Sequence, residues 1–132
     1  MSLENVERVR QGYAAWNRGD MDAMLALLDS DFEYITSGVF PGLAPVYRGH
    51  QGFQDFWRDF RETWEILNIE LNEARDAGQQ VVMLLTFHAR GRDSLEVRRQ
   101  FGNVWTLRDG LAVRCEAYGD WSEALEAAGL SE

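Results

Sequence analysis

Residues 104–130 read VWTLRDGLAVRCEAYGDWSEALEAAGL, and this stretch decides the fold. Alternating side chains carry a strand to Leu107. Arg108-Asp109-Gly110 follows as a tight turn, with Gly110 free to adopt positive φ. A second strand returns to Tyr118. Asp120 then caps a short helix, with Glu123 at the capping-box position three residues on and Gly129 as the stop. The chain therefore ends strand, turn, strand, helix.

Working outward from that ending, helices lead and strands follow. Val6, Val9, Tyr13 and Trp16 fall on one stripe of a helix running from about Leu3 to Trp16, with Ser2 as its N-cap. Asn17-Arg18-Gly19 closes it. Asp20 caps a second helix bearing Met21, Met24, Leu25 and Leu28, and the short link makes the two a helical hairpin. Phe32 to Thr36 alternates as a strand. Residues 37–52 hold both prolines, Pro41 and Pro45, and read as a long loop. The spacing of Phe53, Phe56, Trp57, Phe60 and Trp64 predicts a helix from about Gln51 to Trp64. A strand containing Leu67, Ile69 and Leu71 follows, with a turn at Asp76-Ala77-Gly78. Val81–Arg90, Leu95–Leu107 and Leu111–Gly119 complete a meander of antiparallel strands. The pattern predicts one α+β domain over residues 1–132.

Bulk properties narrow the function. The chain has 132 residues, 45% of them apolar, which suits one globular core. A net charge of −9 argues against non-specific binding to nucleic acid or an anionic membrane. All 13 basic residues are Arg. One cysteine, Cys115, excludes an intrachain disulfide. No signal peptide or bilayer-length apolar run is visible, so a cytoplasmic protein is expected. The two histidines, His50 and His88, form no pair at metal-ligand spacing, and no metal site or cofactor is expected. Gly49-His50-Gln51-Gly52 lacks the Lys of a phosphate loop.

The segment Tyr13-Ala14-Ala15-Trp16-Asn17-Arg18-Gly19-Asp20, the Tyr47-Arg48-Gly49 before helix three, and the ending together resemble the SnoaL-like branch of the NTF2-like (ketosteroid-isomerase-like) superfamily. The resemblance covers nearly the whole chain. It implies a cone in which a curved antiparallel sheet wraps the N-terminal helices. The superfamily includes isomerases, cyclases, epoxide hydrolases, dehydratases and non-catalytic modules, so the fold alone does not choose. Aligned on Gly19-Asp20, the steroid-isomerase Tyr falls at Gly12, beside Tyr13. Its base falls near Thr36 and its oxyanion Asp near Asn103. Thr cannot act as a base, whereas Asn can still donate a hydrogen bond. The epoxide-hydrolase acid falls at Ala117; Glu116 is adjacent but faces the other side of the sheet.

The implied curl turns Met83, Leu85, Phe87, Leu95, Val97, Arg99, Phe101, Asn103, Trp105, Val113, Cys115 and Ala117 to the concave side. Arg99 either sets a guanidinium over the apolar cavity, gripping a carboxylate or carbonyl, or sits hydrated or paired at the mouth. Asn103 donates to a ligand oxygen or is a satisfied structural amide. Tyr34 is an acid or donor, or a buried phenol with a structural partner. These three are the candidate catalytic residues. Trp16, Trp57, Phe60, Phe87, Phe101 and Trp105 are the candidate ligand-binding walls, unless the rings fill the cone. Val82, Leu84, Thr86, His88, Gln100, Val104, Thr106, Arg114, Glu116 and Tyr118 face outward, a mixture that suits a sheet-to-sheet homodimer.

The expected function is that of a pocket protein for a small apolar molecule. It is read as a cofactor-independent isomerase, cyclase or hydrolase acting on a flat polyketide-, steroid- or terpenoid-like ligand. A non-catalytic binding or dimerisation module is the open alternative.

Overall fold

The hairpin of helices sits where the sequence places it. The first helix, α1, spans Ser2–Arg18 and the second, α2, Met21–Leu25. Gly19 closes α1 at φ 73°. The Asp20 carboxylate accepts the Ala23 N–H and caps α2. The computed structural model describes residues 2–40 and 42–130. The capping role expected of the Ser2 side chain and the place of Pro41 in its loop lie outside the described residues.

Strand β1 covers Leu28–Ile35, β2 Val46–Arg48, β3 Trp64–Ala77, β4 Gln80–Gly91, β5 Glu96–Arg108 and β6 Leu111–Tyr118; helix α3 is Gly49–Thr63 and α4 Trp121–Ala127. Leu28 thus opens β1 rather than ending α2, and Trp64 opens β3 rather than ending α3. The 37–52 segment is not wholly loop: β2 pairs antiparallel with β1, Tyr34 opposite Tyr47, and α3 starts at Gly49. Asp109 and Gly110, both at positive φ, turn β5 into β6 as their sequence requires. Asp120 caps α4 by accepting the Glu123 N–H.

The six strands form one sheet in the order β2-β1-β6-β5-β4-β3. It is mixed, not antiparallel throughout, because β1 runs parallel to β6. Alternation along a strand shows which faces are buried, not which distant strand lies alongside or in what direction.

One face of the sheet wraps α1 and α3. Val81, Met83, Leu85 and Phe87 of β4 turn inward against Val9, Tyr13 and Trp16 of α1 and Phe53, Phe56 and Phe60 of α3, in one continuous core. Asn17 fastens the end of α1 to the sheet edge: its amide donates to Ile69 O at 2.8 Å and accepts from Ile69 N at 3.0 Å. A register shift between Thr106 and Leu107 puts Ala112, not Val113, opposite Leu107. The inward side of β6 therefore begins with Ala112 instead of the expected Val113. Leu95, also expected inside, lies ahead of β5 and is 63% exposed.

The outer face departs from expectation. Helix α4 lies across it, and Val82, Leu84 and Val104 are buried with Ala124 and Leu125 in a second core. A Cβ placed on Gly102 would come within 2.5 Å of the Ala124 Cβ, so the glycine is what lets α4 seat. The apolar residues expected to pair two copies are thus covered by the chain's own last helix. No helix among the described residues is long and apolar enough to cross a membrane.

Candidate functional site

Between α1, α3 and the sheet lies a cavity of about 60 Å³. Its apolar wall includes Val9, Trp16, Met24, Phe53, Phe56, Phe60, Phe101 and Leu107. Of the residues expected to form pocket walls, Trp16, Phe60, Phe101 and Trp105 do so. Trp57 and Phe87 do not line it. Trp57 is half-buried, packed edge-on against the Trp16 ring at 4.5 Å, with the Arg61 guanidinium 4.5 Å above its own ring. Phe87 is buried one layer further along the core, 5.4 Å from the Phe60 ring and stacked on it.

The cone is nearly full. An apolar cavity of roughly 150 Å³ accommodates benzene, and this one has less than half that volume. The rings that leave so little room come from helix, strand and loop together. Among them, Trp16 contacts Phe53, Phe56, Trp57 and Phe60 at centroid distances of 4.5 to 6.4 Å. The Trp16 indole N–H is buried with no hydrogen-bond partner among the described residues.

Polar groups converge on the cavity from three elements. Tyr13 comes from α1, Tyr34 from β1, and Asn103 and Trp105 from β5. Asn103 is 4% exposed. Its Nδ2 donates to the Tyr13 hydroxyl at 2.8 Å, and Trp105 Nε1 donates to the same oxygen at 2.9 Å. The Tyr34 hydroxyl donates to Asn103 Oδ1 at 3.4 Å. Tyr13 was missed as a site residue: its spacing with Val9 and Trp16 reads equally well as core. The signal that could have found it is a hydroxyl on an otherwise apolar stripe, beside the position where the resemblance puts a tyrosine.

This network has donors to spare. A phenol oxygen offers two acceptor positions and one O–H. Tyr13 oxygen accepts twice, so its own proton has no partner within the cluster. With the Asn103 amide turned over, Tyr13 donates to Oδ1 and the Tyr34 proton is freed instead. Either way, one phenolic O–H and one amide N–H lack an acceptor among the described residues.

The cluster is uncharged. Burial, first, and then the neighbouring Cys115 push the Tyr13 phenol well above its ordinary 10.0. Burial, followed by Cys115 and Tyr13, does the same for Tyr34. Burial also holds the Cys115 thiol well above its usual range, and it is a free, enclosed side chain. The one charged residue lining the cavity among the described residues is Arg8, at the β5–β6 turn, where its guanidinium would lie 3.2 Å from a Cβ on Gly110. No carboxylate or imidazole lines it among the described residues. Thr36, at the position of the isomerase base, donates its hydroxyl to Ala44 O at 2.7 Å. Among the described residues no cluster of His, Cys, Asp or Glu could hold a metal ion.

Arg99 takes the second of its two expected places, at the rim rather than over the cavity. It pairs across the sheet with Phe87, on the expected side, but it is exposed and lies outside the cavity wall. Its Nη1 donates to Val39 O at 2.7 Å, tying down the loop after β1. A long side chain near the rim reaches backbone and water rather than an apolar interior. His88 faces outward to Glu70 at 2.8 Å, and His50 Nε2 lies 2.9 Å from Leu28 O.

The family model described as a SnoaL-like domain matches residues 9–115. The chain belongs to the SnoaL-like family. Its helices, curved mixed sheet and short last helix are those of the NTF2-like fold. A search of the curated proteins finds no match. Among solved structures the SnoaL-like chain is similar to TerC co-crystallised with polyporic acid, at 23% identity and TM-score 0.81, covering 96% of this chain and 98% of that one. It is also similar to an NTF2-like protein of unknown function from Burkholderia pseudomallei, at 26% identity and TM-score 0.82, covering 93% and 95%. A third is a protein of ketosteroid isomerase-like fold from Catenulispora acidiphila in complex with trimethylamine, at 17% identity and TM-score 0.75, covering 94% and 93%.

Proposed function

We propose that this SnoaL-like protein binds an uncharged, apolar small molecule through one carbonyl oxygen, held by Tyr13, Tyr34 and Asn103. The observation that carries the reading is the surplus of donors. A buried O–H and N–H without acceptors are costly to leave unmet. A carbonyl oxygen has two lone pairs and would take both. Two solved structures of similar fold, one co-crystallised with polyporic acid and one in complex with trimethylamine, support a small-molecule ligand. The apolar walls and neutral phenols around the donors select against a charged group at that end, Arg8 being the one charged lining residue among the described residues.

The same donors would polarise the carbonyl and stabilise negative charge developing on its oxygen. That is the electrophilic half of a cofactor-independent isomerase, cyclase or hydrolase. The other half, a base in the cavity wall, is lacking among the described residues. The proton acceptor would then be a ligand group or water, and this favours binding with carbonyl activation over a complete steroid-isomerase mechanism. A flat ring system, whether polyketide-, steroid- or terpenoid-like, needs more room than the cavity of about 60 Å³ and enters only when a side chain of the wall moves aside. Self-association through the outer face is retained only for its polar strip, Gln100, Thr106, Arg114 and Glu116; a solution mass of 15.1 kDa would remove it.

Calorimetric titration of tetralone against tetralin, its counterpart without the carbonyl, tests the reading. The ketone is expected to bind tighter to the natural protein, and Asn103→Leu should erase the preference. Equal binding of the two by the natural protein would overturn it.

A further inference from the structure

Phe40 belongs to the loop between β1 and β2, yet it is only 7% exposed. Its ring centroid lies 5.0 Å from Phe60, 5.5 Å from Phe87 and 5.1 Å from Phe101. Phe60 and Phe101 also line the cavity. The socket holding the Phe40 ring and the cavity beneath the tyrosines therefore share two walls.

Thr36 still continues the β1–β2 pairing, its N–H donating to Pro45 O at 3.0 Å, and Val39 is buried beside Phe40, but residues 37–40 belong to no strand. Val39 N donates to Thr36 O at 3.0 Å, closing a turn through Ser37 and Gly38, both at positive φ. Arg99, itself exposed, supplies the hydrogen bond to Val39 O. Phe40 is seated mainly by ring contacts, and another ring could make those contacts equally well.

We infer that the Phe40 socket is a ligand subsite for a flat aromatic ring, occupied in the free protein by the chain's own side chain. This deepens the carbonyl reading above and rests on it. The ligand class becomes an aryl ketone, its oxygen at Tyr13 and Asn103 and its ring between Phe60, Phe87 and Phe101. Exchange of one ring for another keeps the buried aromatic contacts, so the principal penalty is exposure of Phe40. Joining socket and cavity also answers the shortage of space. Phe40 becomes a specificity residue, because it competes with aromatic ligands and not with ligands small enough for the cavity alone.

The test measures dissociation constants of tetralone and of acetone, a ketone without a ring, with natural protein, Phe40→Ala and Phe40→Leu, the second variant keeping the core filled if the first folds poorly. If Phe40 occupies its socket nine-tenths of the time or more, removing it tightens tetralone binding by about 10-fold or more. Phe40→Leu should fall between, and acetone, which does not need the socket, should gain nothing. In the natural protein, tetralone should abolish the nuclear Overhauser contacts between Phe40 and Phe101. Equal tetralone affinity in all three proteins, with Asn103→Leu still weakening it, would overturn the subsite and leave the carbonyl reading standing. Absence of tetralone binding to any of them would overturn both.

Discussion

Replacing Tyr13 by Phe removes one oxygen and strands two donors. Asn103 Nδ2 and Trp105 Nε1, at 2.8 and 2.9 Å, both end on that hydroxyl. A buried donor left without an acceptor costs about 1–3 kcal/mol, so two give a range of about 2–6 kcal/mol. The adjoining cavity of about 60 Å³ has room for a water that could accept from one of them. That places the expected loss for Tyr13→Phe in the lower half, about 2–4 kcal/mol. Tyr34→Phe is the control. Its hydroxyl makes one long contact, 3.4 Å, to Asn103, and its removal should cost no more than about 1 kcal/mol. Urea unfolding followed by tryptophan fluorescence reads both through the midpoint, provided the slope is unchanged. The double variant Tyr13→Phe/Asn103→Leu strands the Trp105 indole and the weakly held Tyr34 hydroxyl but no longer the Asn103 amide, so it should lose less than the sum of its parts, with a coupling of about 1–3 kcal/mol. A Tyr13→Phe protein within about 0.5 kcal/mol of the natural one, or one no less stable than Tyr34→Phe, would refute the donor network and the carbonyl reading built on it.

Other parts of the structure give three more expected outcomes. Tyr13, Tyr34 and Cys115 keep their protons in the fold beyond the pH at which the unfolded chain, at ordinary values of 10.0, 10.0 and 9.0, releases them. The unfolded state then binds fewer protons, so stability is fully present below about pH 9 and falls as pH rises, by up to about 1.4 kcal/mol per pH unit for each group. Urea midpoints between about pH 8 and 11 should show this, with a shallower decline in Tyr13→Phe; a flat profile would contradict it. Asn17→Ala removes both amide bonds to Ile69 and should lower stability by about 1–2 kcal/mol, with faster hydrogen exchange at the Ile69 amide as the local readout. Gly102→Ala drives a methyl against Ala124, where a Cβ would sit 2.5 Å away. It should cost about 1–3 kcal/mol and loosen α4, seen as a shift in Trp121 emission; an unperturbed α4 would show that the helix is not seated on the glycine.

How much of the fold was legible in the sequence depends on the range of the interaction. Turns and caps were, because they are settled by neighbours. Asp109-Gly110, Asp120 with Glu123, and Gly19 with Asp20 each meet a backbone requirement within a few residues. The inward side of β4 was also legible, since alternation fixes it once one face is buried. Val113 failed because a single extra residue at the Thr106–Leu107 shift reverses the facing of the residues beyond it. The outer face failed for a different reason. Val82, Leu84 and Val104 do mark a contact surface, but sequence cannot say whether the partner is another molecule or a helix twenty residues downstream.

The site divides along the same line. Sequence by itself determined an α+β chain with an aromatic core, an amide at position 103 and a tyrosine at 34 on inward positions, and no histidine or cysteine grouping at metal-ligand spacing. Tertiary structure alone decided that Tyr13 meets Asn103 across 90 residues, that Arg99 ties a loop instead of facing the cavity, and that Phe40 helps fill the cone. Local propensity and periodicity report the environment each residue prefers. Which donors share one oxygen, and how much space is left among packed rings, are decided only by bringing distant segments together at close-packed density.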